Sequence, residues 1–63
     1  MKFRELRKLA RANGYAIARQ RGTSHEQWYN TARPGMRLTI AGKDGDDVPP
    51  RLLVAMLKRM GLR

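Results

Sequence analysis

His25 is the single histidine of this chain, and it ends the short segment Gly22-Thr23-Ser24-His25. An imidazole can accept or donate a proton near neutral pH, which suits it to general acid–base chemistry. Arg19 and Arg21 come just before this segment and can hold an anion. Backbone N–H groups in a turn of small residues can donate hydrogen bonds to the same anion. These residue types at this spacing predict a site for proton transfer on a phosphate group.

The chain carries a large excess of positive charge. Its 63 residues include 14 Lys and Arg against 5 Asp and Glu, which gives a formal net charge of +9. The basic residues are spread among periodic apolar residues, so a folded basic surface is expected rather than a disordered tail. Such a surface is typical of nucleic-acid binding, and the alternative is a solvated face that keeps the protein soluble. We favour nucleic acid because the imbalance is large for so short a chain.

RNA is the nucleic acid on which a lone histidine can act. A ribose 2′-hydroxyl can attack the neighbouring phosphate, and an imidazole can remove its proton or protonate the departing oxygen. Arg19 and Arg21 would stabilise charge on that phosphate, and Arg37 and Lys43 would widen the contact with RNA. The reaction needs a second proton-transfer group, for which Tyr29, Lys43 and water remain open.

Length and composition exclude several other classes of protein. The chain is long enough for one domain, residues 1–63. It has no cysteine, which excludes disulfides, thiolate metal sites and a cysteine nucleophile. The acidic segment 44–47 lacks the EF-hand pattern, and no apolar run has the length of a membrane span. We therefore expect a cytoplasmic protein that uses neither a metal nor a cofactor.

Five elements must position these residues. Apolar residues at helical spacing predict a first helix over residues 2–13 and a second that begins at Pro49-Pro50 and ends at Gly61. Three strands are expected between the helices, over residues 15–21, 25–31 and 36–41. The short links between the strands favour antiparallel pairing. The expected fold class is α+β, a three-stranded antiparallel sheet with both helices on one face.

Alternation along the second predicted strand decides which side His25 faces. Trp28 is its largest apolar residue and is assigned to the helix side, with Tyr29 as the alternative. With Trp28 on the helix side, His25 shares the open side with Gln27 and Tyr29, and Glu26 points the other way.

Further expectations concern side chains outside this site. A group of basic residues is expected on the outer side of the first helix: Arg4, Arg7, Lys8 and Arg11. Three methionines in apolar periods are expected in the core: Met36, Met56 and Met60. Three acids are expected to stabilise the start of the second helix through its dipole: Asp44, Asp46 and Asp47.

The order of these segments resembles the HicA-type toxins, small RNA-cleaving members of toxin–antitoxin pairs. The resemblance covers nearly the whole chain. The matching segments are a basic first helix ending in Asn13-Gly14, a strand with Arg19-Gln20-Arg21, the segment Gly22-Thr23-Ser24-His25, and Val48-Pro49-Pro50 before a helix that closes with Leu57-Lys58-Arg59-Met60-Gly61-Leu62. The resemblance implies a fold like the double-stranded-RNA-binding domain, His25 as the catalytic residue, mRNA as the substrate and a HicB-like antitoxin that covers the active site.

Two positions depart from the pattern of that family. Many relatives have another histidine after the third strand, where this chain has Ala41-Gly42-Lys43. Glu26 stands where relatives often have an apolar or basic residue. An acidic group close to the scissile phosphate would repel it, so weak or altered activity is expected if Glu26 lies there.

Two other classes of function share the basic surface. A non-catalytic RNA-binding module of the same fold needs no titratable group at the end of the turn, so the segment that ends at His25 favours the enzyme. A protein-interaction element would instead use its positive charge to meet an acidic partner. So short a chain gains stability from a bound partner or a second copy, which leaves open a homo-oligomer or a complex with the antitoxin.

Overall fold

The computed structural model describes residues 1–18 and 25–63. Along these residues the elements follow the order helix, strand, strand, strand, helix. Their bounds are α1 Phe3–Ala12, β1 Tyr15–Ile17, β2 Glu26–Asn30, β3 Arg37–Ile40 and α2 Pro50–Arg59. The α+β fold with this order of elements is thus confirmed. The two helices, β2 and β3 are each shorter than their predicted ranges at their ends, and residues 19–21 of the first predicted strand lie outside the described residues.

The three strands form one antiparallel sheet in which β2 is central. Trp28 of β2 lies opposite Ile17 of β1 and Leu38 of β3. Residues that face each other across an antiparallel pair share one side of the sheet, so this register places Trp28 and Leu38 on the same side. The tryptophan is 1% exposed, whereas Tyr29 is only half-buried. The assignment of Trp28 to the covered side is therefore confirmed.

The core lies between that side of the sheet and the two helices. Strand residues Tyr15, Trp28, Leu38 and Ile40 are buried in one cluster with residues of both helices. From α1 this cluster includes Phe3, Leu6 and Ala10, and from α2 it includes Met56, with Leu52, Leu53 and Met60 packed against it. Both helices consequently cover one face of the sheet, as predicted.

Glycines with positive φ follow both helices. Gly14 has φ +83 and Gly61 has φ +75, a conformation that a Cβ atom disfavours. Pro50 occupies the first turn of α2, where its missing N–H costs no helical hydrogen bond. Because these local signals fix where each helix begins or ends, the observed helix ends lie close to the predicted ones.

The acidic loop between β3 and α2 binds the start of α1 instead of the start of α2. The backbone N–H of Phe3 donates to the Asp46 carbonyl at 3.0 Å, and that of Arg4 donates to the Asp44 carbonyl at 3.2 Å. These carbonyls satisfy N–H groups that the first turn of a helix leaves without partners. The Lys2 ammonium also pairs with the Asp47 carboxylate at 3.0 Å. The first turn of α2 contains no acidic residue, so the expected dipole role of these acids is wrong.

One predicted core residue lies at the surface. Met36 is 37% exposed because β3 begins only at Arg37, which leaves the methionine in the preceding turn. Met56 is buried and Met60 packs against the core, as predicted.

Candidate active site at the start of strand β2

His25 is exposed and directly precedes β2. Within the strand, Trp28 faces the helices, so Gln27 and Tyr29 face the open side of the sheet. The same alternation carried back to His25 gives it the open side as well. The structure thus places the exposed His25 at the end of the sheet where β2 begins.

Several residues of the predicted site lie outside the described part of the chain. They are the two arginines Arg19 and Arg21 and the turn residues Gly22, Thr23 and Ser24. Their role beside His25 stays a prediction from the sequence.

The two remaining basic residues of the predicted site lie at different ends of the sheet. Arg37 is exposed and lies opposite Tyr29, four residues along β2 from His25. At about 3.4 Å per residue this is a separation of roughly 14 Å along the strand. Lys43 is exposed in the loop that follows Ile40, and Ile40 lies opposite Glu26. Lys43 thus belongs to the His25 end of the sheet, whereas Arg37 and Tyr29 belong to the far end.

Glu26 points toward α1, away from the open side. Its Oε1 accepts a hydrogen bond from the Arg7 Nε–H at 2.8 Å and another from the Trp28 indole N–H at 3.2 Å. Trp28 lies on the helix side of the sheet, so this carboxylate lies there too. The expected alternation of Glu26 is confirmed, and the acid stands on the opposite side of the strand from the side assigned to His25.

Arg7 connects three parts of the fold through its guanidinium group. Besides Glu26, it donates from Nη1 to the Asp44 carboxylate at 2.7 Å and from Nη2 to the Gly42 carbonyl at 2.5 Å. Its side chain is only 12% exposed, and the side chain of Glu26 is 22% exposed. The expectation that Arg7 lies on the outer side of α1 is therefore wrong.

The sequence did contain a signal for this placement. Arg7 follows Phe3 by one helical turn and precedes Ala10 by three residues, and both of these are buried. The arginine thus lies on the edge of the apolar stripe, where its guanidinium lies 5.8 Å from the centre of the Phe3 ring. The composition of the helix alone does not reveal that Glu26 and Asp44 are within reach of this position.

A polar cleft opens beside this ion-pair cluster. Its volume is about 370 Å³, and its lining residues are Arg4, Arg7, Arg11, Glu26, Gly42 and Asp44. The Arg11 guanidinium lies 4.9 Å from the centre of the Trp28 ring, a cation–π geometry. Of the three arginines, Arg7 is the one with carboxylate partners among the residues that the structure describes.

Two further findings limit the classes of site within residues 1–18 and 25–63. The carboxylates and the imidazole in this part of the chain do not gather into a group of three or more that could bind a metal ion. Neither helix that the structure describes is long and apolar enough to cross a membrane.

Comparison with known proteins identifies the family. No curated protein and no solved structure gives a match to the chain. The model of the family described as the HicA toxin of bacterial toxin–antitoxin systems matches residues 3–62, which is nearly the whole chain. The protein therefore belongs to the HicA toxin family, as the toxin of a pair that includes a cognate antitoxin.

Proposed function

We propose that this toxin is a metal-independent endoribonuclease that cleaves mRNA, with His25 as its general acid or base. Membership of the HicA family supports the activity. The observation that supports the assignment to His25 is its position: the chain has one histidine, and it is exposed directly before β2. Strand alternation assigns it to the side that the helices leave open. A polynucleotide can reach an imidazole there without displacing a helix.

The reaction breaks one phosphodiester bond and needs two proton transfers. The 2′-oxygen loses its proton and bonds to phosphorus, while the 5′-oxygen of the next nucleotide leaves and gains a proton. The products are a 2′,3′-cyclic phosphate and a free 5′-hydroxyl. A neutral imidazole can take the first proton and an imidazolium can supply the second. His25 performs one of these transfers, and Lys43 or a water molecule performs the other.

The geometry supports Lys43 over Tyr29 as the protein group near the second proton. Lys43 follows the end of β3 that pairs with the start of β2, which is the end next to His25. Tyr29 is roughly 14 Å away along the strand, which is too far for two groups that must reach oxygens on one phosphorus. Tyr29 and Arg37 instead suit RNA contacts away from the scissile bond, through base stacking and a phosphate contact.

The position of Glu26 removes an objection to this activity. A carboxylate next to the scissile phosphate would repel it. Glu26 lies on the helix side and is paired with Arg7 at 2.8 Å. Its charge is thus compensated, and the strand lies between it and the proposed position of the phosphate.

Comparison of the wild type with His25→Ala tests the proposal. Both proteins are incubated with RNA in the presence of a chelator, after circular dichroism has shown that both are folded. We expect cleavage by the wild type, loss of at least 100-fold in rate for the variant, and equal binding of uncleaved RNA by both. Equal cleavage by the two proteins would exclude His25. Binding without cleavage by the wild type would instead favour the non-catalytic RNA-binding module.

The antitoxin, a HicB-like protein, is proposed to cover the open side around His25. Its site then overlaps that of RNA, and competition follows directly from the overlap. Preformed complex should bind RNA at least 10-fold more weakly than the free toxin. A stable ternary complex of toxin, antitoxin and RNA would exclude this mode of inhibition, because it would show that the two sites do not overlap.

A further inference from the structure

The ion-pair cluster under β2 has a consequence for the proposed active site. His25 and Glu26 share a peptide unit, and Glu26 is the first residue of β2. Glu26 lies opposite Ile40, so its backbone belongs to the sheet, while its side chain is bound to Arg7. The residue that follows the proposed catalytic histidine is thus fixed at both its backbone and its carboxylate.

We propose that Arg7 and Glu26 are positioning residues for His25, a role that rests on the proposed nuclease function. Arg7 binds the Glu26 carboxylate, the Asp44 carboxylate and the Gly42 carbonyl through separate N–H groups. One planar group therefore joins α1, the start of β2 and the loop after β3. A guanidinium offers this fixed set of donors, and an ammonium does not.

The indole of Trp28 further restricts the position of the Glu26 carboxylate. Glu26 Oε1 accepts from both Arg7 and Trp28, and Trp28 is 1% exposed. A buried, hydrogen-bonded tryptophan is a rigid anchor, because its side chain fills the core and its N–H needs an acceptor. The carboxylate is therefore held between α1 and the core, with little freedom for the Glu26 backbone to rotate. Rotation there would move the imidazole of the preceding residue.

Substitution of Glu26 separates positioning from charge. In Glu26→Gln the amide oxygen can still accept from Arg7 and from Trp28, so the bonds persist without the negative charge. In Glu26→Ala the acceptor is absent, and both hydrogen bonds are lost. We expect Glu26→Gln to keep kcat within about 3-fold of the wild type, and Glu26→Ala to lower kcat roughly 10- to 100-fold, since displacement of a reacting group by about 1 Å can cost that much. The affinity for uncleaved RNA should stay within 2-fold in both.

Two further variants supply the matched controls. Arg7→Lys keeps the charge but not the three-way set of bonds, and we expect it to lower kcat like Glu26→Ala. Lys2→Ala breaks another ion pair of the α1 region, the one with Asp47, and leaves the Glu26 cluster intact. It should leave kcat unchanged.

A second measurement keeps this inference separate from the nuclease proposal. The imidazole resonances of His25 in NMR spectra report the surroundings of the ring whether or not RNA is cleaved. We expect them to move in Glu26→Ala and Arg7→Lys and to stay in place in Glu26→Gln and Lys2→Ala. Unchanged resonances and unchanged kcat in Glu26→Ala would overturn the positioning role and leave the nuclease intact. If the wild type does not cleave, the nuclease proposal fails and the resonances still decide whether the cluster positions His25.

Discussion

The two sides of β2 use adjacent residues for opposite purposes. On the covered side, Glu26 and Trp28 bind each other and α1, and the tryptophan is almost fully buried. On the open side, Gln27 is exposed and Tyr29 is half-buried, with exposed Arg37 opposite the tyrosine. A strand whose side chains alternate between the two faces of the sheet thus separates a side that stabilises the fold from a side available to a ligand.

The covered and open sides of the sheet also differ in whether their positive charges have acidic partners. Arg7, on the covered side, has two carboxylate partners at 2.7 and 2.8 Å. Arg37, on the open side, has no acidic partner among the residues that the structure describes. Charge on the covered side therefore holds parts of the fold together. Charge on the open side remains available to attract a polyanion.

The largest expected effect comes from neighbouring aromatic residues on the two sides. Trp28→Ala should destabilise the fold by about 3–5 kcal/mol because it leaves a cavity in the core. The total stability of a domain of this size is roughly 3–9 kcal/mol, so this variant should lose a third or more of its free energy of unfolding, as measured by thermal or urea denaturation. Tyr29→Ala should cost less than half as much in stability. It should instead weaken RNA binding by about 1–3 kcal/mol, the loss typical of one base stacked on an aromatic ring. Equal destabilisation by the two substitutions would contradict the assignment of sides.

Two glycines, Gly42 and Gly35, allow closely packed and open positions of the fold to be compared. A Cβ atom at Gly42 would overlap the ring of Phe3, whereas one at Gly35 would meet open space. Phe3 is buried, so it cannot move away without disturbing the core. Gly42→Ala should therefore lower the free energy of unfolding by about 1–3 kcal/mol, the usual cost of overpacking. Gly35→Ala should change it by less than about 0.5 kcal/mol. Urea denaturation of both variants would reveal whether the loop after β3 is as closely packed as the core.

Sequence patterns were sufficient for the elements and for the sides of β2. Helical spacing in α1 and the glycines at 14 and 61 define helix ends that local geometry controls. Trp28 could be assigned to the core because its area is the largest in the strand and alternation then decides the direction of its neighbours. These features depend on residues close together in the chain, so a single sequence contains them.

The ion-pair cluster could not be predicted in the same way. Arg7 and Glu26 are 19 positions apart, and Arg7 and Asp44 are 37 apart. Their contact depends on how α1 crosses the sheet and on where the loop after β3 passes, which no local pattern specifies. The acidic loop was misassigned for a related reason. It precedes α2 in the chain, yet its carbonyls lie beside the first N–H groups of α1 in space.

Substitution of Arg37 is expected to have a smaller effect, which is confined to the affinity for RNA. Its side chain is exposed, while its backbone carbonyl accepts a hydrogen bond from Arg59 at 3.2 Å that an alanine would retain. Arg37→Ala should leave stability within about 0.5 kcal/mol. It should reduce the slope of log Kd against log salt by about 0.7 for single-stranded RNA, the share of one phosphate contact. Arg51→Ala removes an exposed arginine from α2 and should leave the slope unchanged. Equal slopes in wild type and Arg37→Ala would exclude the open side as a path for RNA.

The smallest effect is expected at the exposed ion pair between Lys2 and Asp47. The hydrogen bond from the Lys2 ammonium, and then its positive charge, hold the pKa of the Asp47 carboxyl below its usual value. A carboxyl whose pKa is lower in the folded protein than in the unfolded chain binds its proton less readily when folded. Its contribution to stability is therefore present above the usual aspartate range and is lost as the pH falls through the lowered value.

Asp47→Asn should remove that contribution, so its stability should differ slightly from the wild type at neutral pH and converge with it in acid. Asp46→Asn is the matched control, because Asp46 is an exposed acid of the same loop that forms no ion pair within the described residues. Thermal unfolding of the three proteins across the acid range measures the difference. Since the pair is 43% and 77% exposed at its two side chains, added salt should shrink the difference. A gap between wild type and Asp47→Asn that persists in strong acid would show that the carboxylate contributes through something other than its charge.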